Sequence, residues 1–378
     1  MRLNQTALLK AADALAGNAL CRLLGCLPSL AVRDPAVLTI RPEAIRRILV
    51  IRPGGMGDML LLLPVLRRLR ERLPNAVVDL ACERRNLSVL ALVDMADRAM
   101  VYDGHPFAFL WRLRRAAYDL VLDTEQFHHF SAVFALLSGA PLRIGFKINP
   151  VRNPLYTHLV NYAPDGAESA QFARLLEPAG FANDSPELCG LLAGREFPLP
   201  QDAPGRLASF LAGGPAIVMH PAASVRYKQW PAGRFAELAV ALGREFRLRS
   251  VLVGNRADRK TCERIAQAAA AQGAEVLSMA GGCALPGTAA LIQRARLFVG
   301  ADSGLAHLAV ALDVPSVVLF GPSDAAKWGS GSPRHAAVHR ALPCAPCFIF
   351  GYHKPCRTIA CMGQISVADV LAQCRRLL

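Results

Sequence analysis

The sequence predicts an α/β protein of two domains, each a parallel β-sheet flanked by helices. Short apolar runs alternate with helix-patterned stretches from about residue 47 onward, the signature of buried parallel strands joined by helical crossovers. The alternation stops once, across a loose segment at 183–212 that contains Pro186, Gly190, Gly194, Pro198, Pro200 and Pro204, and then resumes. A chain of 378 residues is also long enough for two cores.

In the amino-terminal stretch, Leu8, Ala12, Leu15, Ala19 and Leu23 recur at helical spacing over residues 5–25. An amphipathic helix is expected there, either packed on the protein or lying in a membrane interface. Lys10, Asp13 and Arg22 interrupt any signal-peptide core. After a Pro-containing connector (26–44), strands are expected at 47–51, 76–80 and 119–122, with helices at 58–73 and 130–137. Residues 140–165, rich in Pro, Gly and basic side chains, read as a long functional loop. The second alternation gives strands at 216–220, 249–253, 275–278, 297–300 and 317–320. Helices fall between them at 232–244, 258–271, 286–294 and 302–312, with a last one at 367–378 that could cross back to the first domain. The domains are therefore 1–45 (helix and connector), 46–200 and 201–378.

Composition narrows the function. The net charge of +14 is concentrated late: residues 201–378 carry 20 Lys/Arg against 10 Asp/Glu, whereas residues 1–200 carry 23 against 19. An anionic ligand or membrane face fits this balance. No basic run interleaved with aromatics appears, which argues against nucleic acid. No uncharged apolar run of about 18 residues occurs, so no spanning helix is expected. Eleven scattered cysteines do not form a secreted disulfide scaffold. Cys344, Cys347, Cys356 and Cys361 read as reduced or locally bridged thiols, with a structural zinc knuckle as the alternative. No metal and no cofactor is assigned.

Three motifs carry chemistry. In the first, Asp302-Ser303-Gly304-Leu305-Ala306-His307 opens a helix from the end of a strand, and Gly321-Pro322-Ser323 closes the next strand. Helix N–H groups and the helix dipole there favour a phosphate or diphosphate. In the second, a glycine turn, Gly54-Gly55-Met56-Gly57, precedes Asp58, which is either a helix cap or an acid–base group. The turn lacks the dinucleotide spacing, which argues against a nicotinamide oxidoreductase. The third is His220-Pro221-Ala222 followed by Lys228-Gln229-Trp230-Pro231. A loop lysine is usually solvated, and His220 and His307 read as core histidines.

In this order the three motifs resemble glycosyltransferase family 9, the bacterial heptosyltransferases of lipopolysaccharide core assembly and their relatives. The resemblance implies the GT-B architecture, two Rossmann-like domains facing a cleft. It implies an inverting transfer with Asp58 as general base and Lys228 on the donor's phosphates. Ser303, Gly304, Leu305, His307, Asp302, Asp258, Gly254 and His220 would bind the nucleotide-diphosphate sugar, most plausibly ADP-heptose. Gly55, Gly57, Arg84, Arg143 and Lys147 would bind an anionic glycolipid acceptor, with Arg85 and Arg152 as further candidates. The absence of an Asp-x-Asp motif fits a metal-free mechanism. The enzyme would work in the cytoplasm, peripheral to the inner membrane. The alternatives are another nucleotide-sugar, or a non-catalytic anion- or membrane-binding protein on the same fold.

Overall fold

A computed structural model describes residues 11–26, 40–181, 187–200, 204–349, 352–353 and 356–378. Parts of the amino-terminal helix, its connector and the inter-domain segment expected from the sequence lie outside these residues. The chain divides into two compact units, Met1–Pro186 and Glu187–Leu378.

In the first unit the strands are β1 (Arg47–Arg52), β2 (Val77–Cys82), β3 (Arg98–Val101), β4 (Leu120–Asp123), β5 (Leu142–Lys147) and β6 (His158–Asn161). Among the described residues they form one sheet in the order β3-β2-β1-β4-β5-β6, parallel throughout. β1 is buried from Ile48 to Arg52, as a central parallel strand must be. The following helix, Met56–Arg72, buries Met59 to Leu63, Val65, Leu66 and Leu69. The stretch 140–165 is not one loop: it contributes β5 and β6, joined by a short turn at Asn153–Leu155. Tyr156 from this connection sits fully buried with Leu49, Ile51 and Val121.

The second unit repeats the plan with β7 (Ala216–His220), β8 (Arg249–Leu252), β9 (Val276–Ser278), β10 (Phe298–Ala301), β11 (Ser316–Phe320) and β12 (His335–His339). Its order is β12-β11-β10-β7-β8-β9, again parallel. The carboxyl-terminal helix Val367–Leu377 packs within this unit, against the helix Ala232–Phe246 and strands β11 and β12. Val370 and Cys374 are buried there beside Trp230 and Ile365.

In both sheets the chain runs outward through three strands and then returns to the far side of the first. The order therefore reverses between β1 and β4, and between β7 and β10. Ligands of open α/β sheets bind outside the carboxyl ends of the strands at such a reversal.

The amino-terminal segment is helical where described, with a π-helical turn at Asp13–Gly17 continuing into Asn18–Gly25. Its packing face is not the expected leucine stripe. Asp13, Gly17 and Cys21 are buried, while Leu15 and Leu23 are 78% and 66% exposed. The close approach depends on Gly17, where a Cβ would lie 2.9 Å from the His129 Cβ. Asp13 explains the attachment: its carboxylate accepts from the His129 and Phe130 N–H groups at 2.9 and 2.7 Å, capping the helix His129–Leu137.

Candidate functional site

In the second unit the reversal is occupied by a charged pair. The turn after β7 carries Lys228, and the end of β10 leads directly into Asp302. Lys228 Nζ donates to Asp302 Oδ2 at 2.6 Å, and both side chains are largely buried. His307 Nε2 lies 3.9 Å from the other carboxylate oxygen. Burial pushes the Asp302 carboxyl up, but Lys228 and then His307 outweigh it and hold the group below the usual aspartate range. Asp302 is thus an anion that holds an ammonium in place rather than a proton donor.

Ser303 follows as the residue before the helix Gly304–Ala311, and it supplies no side-chain cap to the helix N–H groups. Its hydroxyl is instead 3.1 Å from His220 Nδ1. Burial lowers His220 to about 4, so the ring is neutral near pH 7. The helix start therefore keeps backbone donors available to an anion, with the Lys228 ammonium nearby. Lys228 also lies 4.5 Å from the centre of the Phe348 ring. Phe348 is held there because its N–H and that of Cys347 both donate to the Pro322 carbonyl. The cysteine-rich loop thus folds onto the Gly321-Pro322 turn and closes one side of the lysine.

Lys228, Asp302, Ser303, His307 and His220 are therefore brought together. Leu305 is buried in the first turn of the same helix. Gly254 and Asp258 belong to the turn after β8. There one Asp258 oxygen accepts from the Asn255 N–H at 2.8 Å, a capping-box role.

In the first unit Asp58 occupies the equivalent reversal, at the carboxyl end of β1. It is the third residue of its helix, and Oδ2 accepts from the Gly55 N–H at 2.7 Å. Gly54 has φ +114°, and a Cβ there would meet Asp58 Oδ2 at 2.8 Å, so only glycine fits the turn. Gly57 is half-buried in the first turn of the helix. Beneath lies Arg52, with a guanidinium nitrogen 3.5 Å from Asp58 Oδ1 and another donating to the Thr124 carbonyl at 2.8 Å. Burial works against the Arg52 charge, but Asp58, Glu125, Glu168 and Asp123 more than offset it.

The expected acceptor arginines divide. Arg84 is exposed in the turn after β2, and Lys147 is exposed at the end of β5. The Arg143 guanidinium, by contrast, donates to the Leu155 and Ala140 carbonyls at 2.8 and 2.6 Å and braces the β5–β6 connection. Arg85 pairs with Glu83. Arg152 is not a surface residue: it is buried against Asp123 at 2.9 Å and also donates to Ser131, Tyr156 and the Glu125 carbonyl. The sequence reading missed the acidic groups around Arg52, chiefly Glu125 and Glu168. Glu125 accepts from the Gln126 and Phe127 N–H groups and lies 3.1 Å from His128 Nδ1. Glu168 accepts from Gln126 and Tyr162. Among their signals, only the polar run Asp123–Gln126 ending an apolar strand is visible in the sequence.

Comparison with known proteins follows the same geometry. A family model described as glycosyltransferase family 9 (heptosyltransferase) matches residues 107–357. Lipopolysaccharide heptosyltransferase 1 of Pseudomonas aeruginosa is 25% identical over 323 residues, covering 80% of this chain and 86% of that protein. Among solved structures, Escherichia coli ADP-heptose lps heptosyltransferase II aligns with a TM-score of 0.67 at 24% identity, over 88% of this chain and 98% of that one. The E. coli heptosyltransferase WaaC with ADP gives a TM-score of 0.67 at 20% identity, over 88% of this chain and all of that one.

Proposed function

The chain belongs to glycosyltransferase family 9, and from that premise we propose that it moves heptose from ADP-heptose to a lipopolysaccharide core acceptor with inversion. The observation that carries this reading is the Lys228–Asp302 pair at the mouth of an uncapped helix. Its two parts suit a leaving diphosphate: a fixed cation and a row of backbone donors.

Asp58 takes the proton from the acceptor hydroxyl as that oxygen attacks the anomeric carbon. The bond from that carbon to the diphosphate breaks, and the electron pair leaves with ADP. Lys228 and the N–H groups of Ser303 and Gly304 receive the charge that develops there. No metal is needed in this scheme, because the chain's own cation and dipole supply the compensation. Residues 201–378 would hold the donor, with Asp258 on the ribose. Residues 46–200 would hold the acceptor, with Arg84 and Lys147 facing its phosphate or carboxylate groups.

Calorimetric titration with ADP, UDP and GDP, without added metal, tests the donor assignment. ADP should bind selectively, and Lys228→Ala should weaken it about tenfold or more, the worth of one charge-assisted hydrogen bond. Preference for UDP or GDP would change the sugar, and no binding at all would refute the transferase reading.

We further propose that the enzyme works against the cytoplasmic face of the inner membrane. Among the described residues no helix is long and apolar enough to cross a membrane. Leu15 and Leu23 on one helix, and Phe107 and Trp111 (87% and 61% exposed) on the helix Pro106–Arg115, nevertheless leave large apolar side chains in solvent. Both helices lean on His129–Leu137, and the second also exposes Arg112, Arg114 and Arg115. Apolar side chains ringed by arginine suit an anionic bilayer. Leu15→Ser/Leu23→Ser should lower co-sedimentation with phosphatidylglycerol vesicles at least about tenfold, given roughly 1.5 kcal/mol per buried leucine. Unchanged sedimentation would remove the amino-terminal helix from the membrane contact.

A further inference from the structure

A second cluster of reactive side chains lies in the carboxyl-terminal unit, outside the machinery described above. It draws on three separate segments. Cys189 comes from the stretch that enters the unit, Asp313 from the turn between Gly304–Ala311 and β11, and His335 from the start of β12. Cys189 Sγ is 3.7 Å from Asp313 Oδ1 and 3.5 Å from His335 Nε2, and the three ligand atoms all lie within 4.8 Å of one another. We propose that Cys189, Asp313 and His335 are three ligands of a structural zinc ion, with a water completing the tetrahedron.

The spacing is the first argument. With Zn–S near 2.3 Å and Zn–N or Zn–O near 2.1 Å, tetrahedral angles put sulfur about 3.6 Å from each lighter ligand. The two sulfur edges observed here bracket that value.

The surroundings are the second argument. His335 Nδ1 is 2.9 Å from the buried Ser316 hydroxyl, which fixes the ring and leaves Nε2 directed at the cysteine. The Arg334 guanidinium donates to Asp313 Oδ1 at 3.0 Å and to the Asp313 carbonyl at 2.9 Å. A carboxylate oxygen can accept such a bond and still offer a lone pair to a metal. Asp313 itself has φ +54°, just beyond a helix end where glycine is the usual choice.

Binding would exchange the thiol proton for Zn2+ and release that proton to solvent. The ion would tie the entering segment to the sheet, where the Gly190 and Leu192 N–H groups already donate to the Val310 and Ala311 carbonyls at 3.1 and 2.7 Å. It lies outside the reaction scheme proposed above, so turnover is not its readout.

The competing ligands are Cys344, Cys347, Cys356 and Cys361, and cobalt can separate the two sets. Chelator-treated full-length protein is titrated with Co2+ while the near-ultraviolet thiolate charge-transfer band is followed, and Zn2+ is then added in competition. One equivalent of cobalt should bind with the band and be displaced by zinc. Cys189→Ala and His335→Ala should each weaken binding at least about a hundredfold, since losing a group that merely orients a ligand already costs up to that much. A variant with all four other cysteines changed to alanine should keep the band. No band in the native protein, or a band that survives Cys189→Ala and disappears with the four cysteines, would overturn the assignment.

Discussion

Replacing Asp58 by asparagine should cut kcat by about a thousandfold, within the range spanned by general-base catalysis, and leave folding and ADP affinity nearly unchanged. The substitution separates the proposed base from the capping role that the structure shows. Asp58 Oδ2 accepts the Gly55 N–H at 2.7 Å, so the side chain caps its own helix. An asparagine oxygen can accept that same bond, and Glu125, Glu168 and Asp123 remain to offset the buried Arg52 charge, so the change in stability should stay within about 1–2 kcal/mol. The amide cannot take a proton from an attacking hydroxyl. Steady-state turnover, ADP calorimetry and thermal melting on one preparation distinguish the roles. Full activity in Asp58→Asn would make the residue a cap only, and the base would have to be sought elsewhere, with Glu125 as the neighbour to change next.

The largest effect on stability is expected at Arg152. Arg152→Ala should cost about 3–5 kcal/mol, the usual penalty for orphaning a buried partner. Asp123, fully buried, would lose its cation and keep only neutral partners such as the Tyr156 hydroxyl at 2.5 Å. Burial already pushes the Asp123 carboxyl up even with Arg152 against it. Urea denaturation measures the loss. The double variant Arg152→Met/Asp123→Leu should recover most of it, because the penalty comes from the unpaired charge rather than from the missing bridge. A single-variant cost below about 1 kcal/mol would mean that the pair is not isolated from water as its burial implies.

The central strands were legible because strands covered on both faces become unbroken apolar runs, as Ile48-Leu49-Val50-Ile51 and Val317-Val318-Leu319-Phe320 do. Two strands that went unread, β3 and β12, stand at sheet edges. Arg98-Ala99-Met100-Val101 and His335-Ala336-Ala337-Val338-His339 carry polar ends and small residues, which suit an edge and hide the pattern. Pro and Gly between 140 and 165 concealed β5 and β6 in the same way. Asp302 and Ser303 could be anticipated because they directly follow a recognisable strand, whereas Lys228, in a loop beyond β7, was pointed to only by the family resemblance. The Arg152–Asp123 pair could not, since 29 residues separate its members and neither lies in a motif. At the amino-terminal helix, periodicity identified the helix and its leucine stripe but not the face that packs on the protein. Leucine spacing measures hydrophobicity, whereas the packing was decided by the smallness of Gly17 and the reach of Asp13.

That amino-terminal helix cannot be handled as a detachable label. Asp13 holds the first turn of His129–Leu137, and His129 in turn meets Asn18 and Asn149 at 3.2 Å each. The imidazole is therefore a rivet through three segments. A truncation made to improve solubility would also loosen the end of β4, where Glu125 and His128 sit. By the same linkage, any force that a bilayer exerts on the leucines would reach the end of β4 through Asp13, Asn18 and the His129 ring they hold.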